Sequence, residues 1–261
     1  MNTVIVPVDF SDDSIYAARY AAQLLGGQYG ITMILYHSYG KASEAAEATE
    51  NLENLKLELG KDHIVKIEIL AHEESDFVDG LEKAARHRRA DLIIMGITGK
   101  SAIAQVFFGS NTLKMAERRV CPLLIVPNEA SFSPIKNVML TSDFKSTLNT
   151  TPSVPIKNFL DAFKPKLHIV NVDKDHYISL TENYENEKQE LKKMFADYHP
   201  EFYFMRLYDV DEAINLFAES RHIDLIIVIQ KNRSFTEKLL NVGRVKTLSY
   251  HSKVPILVMH E

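Results

Sequence analysis

Two tandem copies of one α/β unit, each a doubly wound five-stranded parallel sheet, are the fold that this 261-residue sequence predicts. Three repeated landmarks and a regular strand–helix alternation carry that prediction. Val4-Ile5-Val6-Pro7-Val8-Asp9-Phe10-Ser11 returns as Val138-Met139-Leu140-Thr141-Ser142-Asp143-Phe144-Lys145, with Asp-Phe directly after an apolar run, at an offset of 134 residues. Asp91-Leu92-Ile93-Ile94-Met95 returns as Asp224-Leu225-Ile226-Ile227-Val228, and the Pro122 run Leu123 to Val126 returns after Pro255, both at an offset of 133. One spacing in one order places the boundary in the polar stretch 128–134, with a first repeat over 1–128 and a second over 135–261. The nearly equal offsets also predict that the two sheets are related by an approximate two-fold axis.

In the first copy, β-rich runs at 4–8, 31–37, 64–70, 91–96 and 122–126 are separated by segments of helical period, the pattern of βαβ units. Ser11 caps a helix carrying Ile15, Ala18, Ala22 and Leu25, and Gly26-Gly27 ends it. Ala45, Ala48, Leu52, Leu55 and Leu59 form one stripe of a second helix. Phe77, Leu81, Ala84 and Ala85 mark a third, and 111–119 a fourth that stops at Val120-Cys121-Pro122. The second copy repeats the scheme less cleanly, because Pro152 and Pro155 disturb the first turn of its first helix.

Apolar residues make up 46% and charged residues 25%, a composition that excludes disordered, collagen-like and disulfide-scaffold classes. A net charge of −5 disfavours a nucleic-acid or anionic-membrane partner. The apolar runs are far shorter than the roughly 20 residues that cross a bilayer. Nothing at the N-terminus marks the chain for export, and one cysteine, Cys121, suits a reducing cytoplasm.

Ligands of such sheets bind beyond the carboxyl ends of the strands, where strand order reverses. After the fourth strand stands Gly96-Ile97-Thr98-Gly99, then nine residues to Gly109-Ser110-Asn111, which opens a helix. Glycines let backbone approach phosphate oxygens, and a helix start offers N–H groups and positive potential to an anion. The bland alternative is that the glycines only turn the loop. A Walker A loop is excluded because Ile94 stands where its first glycine belongs, and no G-x-G-x-x-G follows the first strand.

These residues resemble the nucleotide-binding members of the universal stress protein family, in its tandem form, over essentially the whole chain. The resemblance implies an adenine-nucleotide α-hydrolase-like fold and a binding site for ATP or another adenine nucleotide, with Mg2+ as the nucleotide's companion. Carried over by position, Pro7, Val8 and Asp9 meet adenine and ribose, and Ser38 offers backbone groups to the base. Met95 and Gly96 flank adenine and ribose, while Gly99, Gly109, Ser110 and Asn111 take the phosphates. The second repeat has Ile229, Asn232, Val242 and Gly243 where Gly96, Gly99, Gly109 and Ser110 stand, so only the first is expected to bind. The family's habit of associating through last strands implies that the two repeats form an intrachain pseudo-dimer, and pairing of whole chains into a homodimer stays open.

The remaining candidates favour structural roles. His37 and His168 are read as equivalent structural histidines on the second strand of each repeat. No histidines are spaced as zinc ligands, no G-x-S-x-G elbow is present, and Cys121 is expected to be a buried, inert thiol. Three functions are in contention. A cytoplasmic stress-response protein that holds a nucleotide as signal or structural ligand, with weak ATPase activity at most, leads. A nucleotide-free interaction module is the alternative. An adenine-nucleotide-dependent enzyme ranks last, because Pro7 to Asp13 lacks the Ser-Gly-Gly-x-Asp-Ser loop of such enzymes.

Overall fold

The computed structural model describes residues 1–97, 110–173, 182–206, 209–230 and 253–261. They divide into two compact units, Met1–Phe132 and Ser133–Glu261. In unit 1, β1 (Thr3–Pro7), β2 (Thr32–Tyr39), β3 (Lys66–Glu73), β4 (Leu92–Gly96) and β5 (Leu123–Val126) alternate with α1 (Asp12–Leu25), α2 (Ala45–Asp62), α3 (Phe77–Arg88) and α4 (Ser110–Arg118). The strands are parallel and ordered β3-β2-β1-β4-β5. Val4 to Pro7 are all buried, so this central strand is covered on both faces, as a parallel sheet requires.

The predicted stripes are the buried faces except at their first residues, Ile15, Ala45 and Phe77, which are half-buried. Ala48, Leu52, Leu55 and Leu59 are the buried residues of α2, and Leu81, Ala84 and Ala85 are buried on α3. Ser11 caps α1, its side chain accepting the Ser14 N–H. Residues after β5 also pack on α1: Asn128 Nδ2 donates to Asp13 Oδ1, the Tyr16 hydroxyl to the Ala130 carbonyl, and Phe132 lies edge-on to Tyr20.

Unit 2 contains β6 (Asn137–Thr141), α5 (Thr147–Thr150), α6 (Ser153–Phe163), β7 (Lys166–Asp173), α7 (Glu182–Met194), β8 (Glu201–Arg206), α8 (Val210–Ser220), β9 (Leu225–Gln230) and β10 (Ile256–His260). Its parallel order, β10-β9-β6-β7-β8, repeats that of unit 1. The expected disturbance at Pro152 is a full break, which splits the first helix into α5 and α6.

Both aspartates of the repeated Asp-Leu-Ile-Ile landmark do one job. Asp91 Oδ2 accepts the N–H groups of Asn2 at 2.6 Å and Thr3 at 3.0 Å, and Asp224 Oδ2 accepts those of Lys136 at 2.8 Å and Asn137 at 2.9 Å. Each carboxylate ties the start of a unit's first strand to the start of its fourth. The prolines repeat in the same way, since Pro122 O receives Ile93 N–H and Pro255 O receives Ile226 N–H, both at 3.0 Å.

The two strand histidines are not equivalent. His37 follows the last β1–β2 pair, Pro7↔Tyr36, and the same step in unit 2, beyond Thr141↔Val170, is Asn171. His168 pairs with Met139 further down β7 and is 3% exposed, packed against the mutually touching rings of Tyr203 and Phe217. Its Nε2 is 3.4 Å from Asn137 Oδ1 and its Nδ1 3.6 Å from Glu201. Burial lowers its pKa, the Glu201 charge opposes that, and Lys166 and Arg221 reinforce it.

A histidine held below its ordinary value of about 6.5 binds its proton first in the unfolded chain. Its contribution to stability is therefore complete above that value and is lost as the pH falls from there toward the folded pKa. Hydrogen exchange of the β7 amides, corrected for intrinsic rates, should show opening become easier as the pH is lowered from about 7 through the ordinary histidine value of about 6.5, and His168→Gln should flatten the trend. Equal slopes in the two proteins would assign the acid sensitivity to other groups.

Candidate functional site

Strand order reverses between β1 and β4, so their carboxyl ends open a crevice in unit 1. Pro7 is the last residue of β1 and is buried; Val8 is buried beyond it, and Asp9 is exposed at the turn into α1. Asp9 Oδ1 accepts both the N–H and the hydroxyl of Ser11. Partial desolvation pushes this carboxyl up, but the bonds from Ser11 and Ser14 outweigh it and hold it below the usual value. Phe10 lies at φ 62°, and its twin Phe144 at φ 51°. A bulky residue in left-handed backbone carries strain, and here the same turn carries it in both units.

Val8 cannot recognise a base through its N–H, because that group is spent on Tyr36 O at 2.8 Å, and its carbonyl is engaged by His37 Nδ1 at 2.7 Å. Ser38 stands differently. β2 runs past the end of β1 to Tyr39, paired there with β3 alone. Backbone groups in a strand alternate sides, and Tyr36 O points to β1, so Ser38 N–H and carbonyl point that way too, beyond where β1 pairing ends.

Across the crevice, Met95 is buried in β4 and Gly96 closes the strand. A Cβ at Gly96 would stand 2.7 Å from the Asp13 carbonyl oxygen and 3.4 Å from Ala17 Cβ. The first turn of α1 thus accounts for this glycine by itself. Gly96 O accepts the Thr112 hydroxyl at 3.2 Å, which fixes the start of α4 at the end of β4. Ser110 opens that helix and Asn111 is exposed beside it. Gly99 and Gly109 lie outside the described residues, as do Asn232, Val242 and Gly243 of the second repeat.

Two features escaped the sequence reading. The Asn128–Asp13 bond has no local signal, because its partners are far apart in the chain. The close approach at Gly96 was legible as a glycine but not as helix packing.

With this geometry in place, the comparisons with known proteins are specific. Residues 1–127 match the model of the universal stress protein family. The match spans nearly all of unit 1 and just under half of the chain. A universal stress protein of Thermus aquaticus is 28% identical over 134 residues, covering 48% of this chain and 97% of the relative. Another from Methanocaldococcus jannaschii is 26% identical over 137 residues, covering 47% of this chain and 80% of the relative. The crystal structure of a universal stress protein from Archaeoglobus fulgidus superposes with a TM-score of 0.72 at 16% identity, covering 100% of this chain and 96% of that one. It shares the fold over both units. No helix among the described residues is long and apolar enough to cross a membrane.

Two outcomes follow from the contacts. Gly96→Ala should cost about 1–3 kcal/mol, because the added carbon meets helix backbone rather than a movable side chain; a denaturation midpoint equal to that of the unmodified chain would refute the close approach. Cys121 is half-buried rather than buried, and that partial burial, with the Asp91 charge adding to it, pushes its thiol up to about 12. A thiol reagent should label it slowly in the folded chain, and rapid labelling without unfolding would contradict this.

Proposed function

We propose that unit 1 binds an adenine nucleotide, ATP or a close relative, as a regulatory or structural ligand of a cytoplasmic stress-response protein, with little or no turnover. The observation that carries this reading is the convergence at one crevice of Asp9, the overhanging backbone of Ser38 and the start of α4 at Ser110-Asn111. Each suits a different part of the ligand. Both Ser11 bonds fall on Asp9 Oδ1, and the exposed carboxylate has further acceptor capacity for a ribose hydroxyl. Ser38 supplies a donor and an acceptor side by side, a match for a base edge. The α4 start suits phosphate through its N–H groups and positive end.

Pro7 and Met95 act as buried supports of the crevice floor, and Gly99 and Gly109 complete the phosphate loop by sequence. Mg2+ would accompany the nucleotide through its phosphates. Low turnover is expected because Asp9, held ionised, is a weak base, and it stands on the ribose side.

The second unit is the natural control. Ile229 stands at the register of Gly96 and is buried, and the sequence places Val242 where Gly109 stands. Isothermal titration should therefore find one nucleotide per chain. Asp9→Ala should weaken adenosine and ATP alike, by roughly ten- to a hundredfold for the loss of one bond to a charged group. Gly109→Val should abolish most ATP affinity with the fold intact. Two equivalent sites, or an adenosine affinity indifferent to Asp9→Ala, would overturn the assignment, and no binding by the unmodified chain would favour the interaction module.

A further inference from the structure

The carbonyl of Val8 decides where the β1–β2 ladder stops. In a parallel ladder the rung after Val8 N–H to Tyr36 O is Ser38 N–H to Val8 O. That rung is not made: the register ends at Pro7↔Tyr36, and Val8 O meets His37 Nδ1 at 2.7 Å instead. A carbonyl only accepts, so Nδ1 carries the proton.

Unit 2 repeats this with a different side chain. Ser142 N–H donates to Val170 O at 3.0 Å, the register ends at Thr141↔Val170, and Ser142 O receives Asn171 Nδ2 at 2.8 Å. Imidazole and carboxamide share one property useful here, a planar N–H donor within reach of the neighbouring strand. Two unlike side chains at the same register thus take the same carbonyl. In unit 1 the imidazole is braced by Phe10, whose ring centroid is 4.8 Å away.

We propose that His37 is a positioning residue that caps the β1–β2 ladder at Val8 and so keeps the Ser38 N–H and carbonyl turned to the crevice as the edge that reads the base. The ligand half of this statement rests on the nucleotide reading; the cap itself does not. Removing the donor leaves Val8 O without a partner, and Ser38 N–H is the group already placed to take it. The ladder would then extend by one rung and consume the donor that the base needs. Asn171 identifies the replacement that preserves the cap.

Amide exchange, read residue by residue, tests the cap without ligand. In the unmodified chain Ser38 should exchange much faster than Val8 and Tyr36, and an equally slow Ser38 would overturn the proposal. His37→Leu should slow Ser38 exchange about tenfold or more and weaken adenosine binding about tenfold, whereas His37→Asn should leave both within about threefold. Unchanged Ser38 exchange in a folded His37→Leu chain, or a folded His37→Asn chain that behaves like His37→Leu, would also overturn it. Should His37→Leu fail to fold, the unmodified chain and His37→Asn still decide. If the unmodified chain binds no adenosine, the nucleotide reading fails while the exchange pattern continues to decide the cap.

Discussion

A first strand that pairs on both sides is the constraint from which the rest of each unit follows. β1 lies between β2 and β4, and β6 between β7 and β9, so neither can be reached by its own crossover on both flanks. The chain must wind one way to β2 and β3 and return on the other side to β4 and β5. At the carboxyl end of the central strand the two windings part and leave a crevice. The amino ends are closed by Asp91 and Asp224, which draw two strand starts together through paired N–H bonds. At the carboxyl ends the ladder is cut short by His37 in one unit and Asn171 in the other. Pinning one end and interrupting the other makes the crevice a property of the frame.

The units diverge where that frame meets the first helix. In unit 1 a continuous α1 starts under a Ser11 cap and runs so close to β4 that position 96 has no room for a side chain. In unit 2 the helix is broken at Pro152 and position 229 is a buried isoleucine. The start of α5 is held differently too: the Glu187 carboxylate accepts the N–H groups of Ser146 at 3.2 Å and Thr147 at 2.7 Å, and the Thr147 hydroxyl at 2.6 Å. Phe144, the twin of Phe10, sits against Tyr184, Phe202 and Phe204, with Lys188 over the last ring. Helix start, glycine position and turn environment have changed together, and an anion brought to α5 would meet a carboxylate already in place.

Elements with a periodic or repeated signal were legible in the sequence. The stripes of α2 and α3, the Ser11 cap and the first-to-fourth strand landmarks depend on neighbours within a few residues or on the duplication itself. What escaped depends on registry in space. His37 and His168 look alike because each lies in an apolar run after the first helix, yet only the β1–β2 and β6–β7 registers show that Asn171 is the equivalent of His37. The left-handed backbone at Phe10 and Phe144 was hidden by side chains that normally avoid it. Residues 128–132 read as a polar boundary because the bonds of Asn128 and Ala130 go to α1, more than a hundred residues earlier.

The glycine motif shows why a pattern can be sound while its parts have separate causes. Gly96 is accounted for by the Asp13 carbonyl alone, and its own carbonyl is used to moor α4 through Thr112. A side chain there would push α1 away from β4 and carry with it the turn that presents Asp9. The mooring at Thr112 sets where the positive end of α4 points. Gly96 therefore serves a ligand through the two elements it holds in place, whereas the expected role of Gly109 is direct, since it precedes the first N–H groups of the helix. Loss of the first glycine in unit 2 accompanies a broken helix, as a packing role requires. A phosphate-contacting glycine would be lost without any such change in the frame.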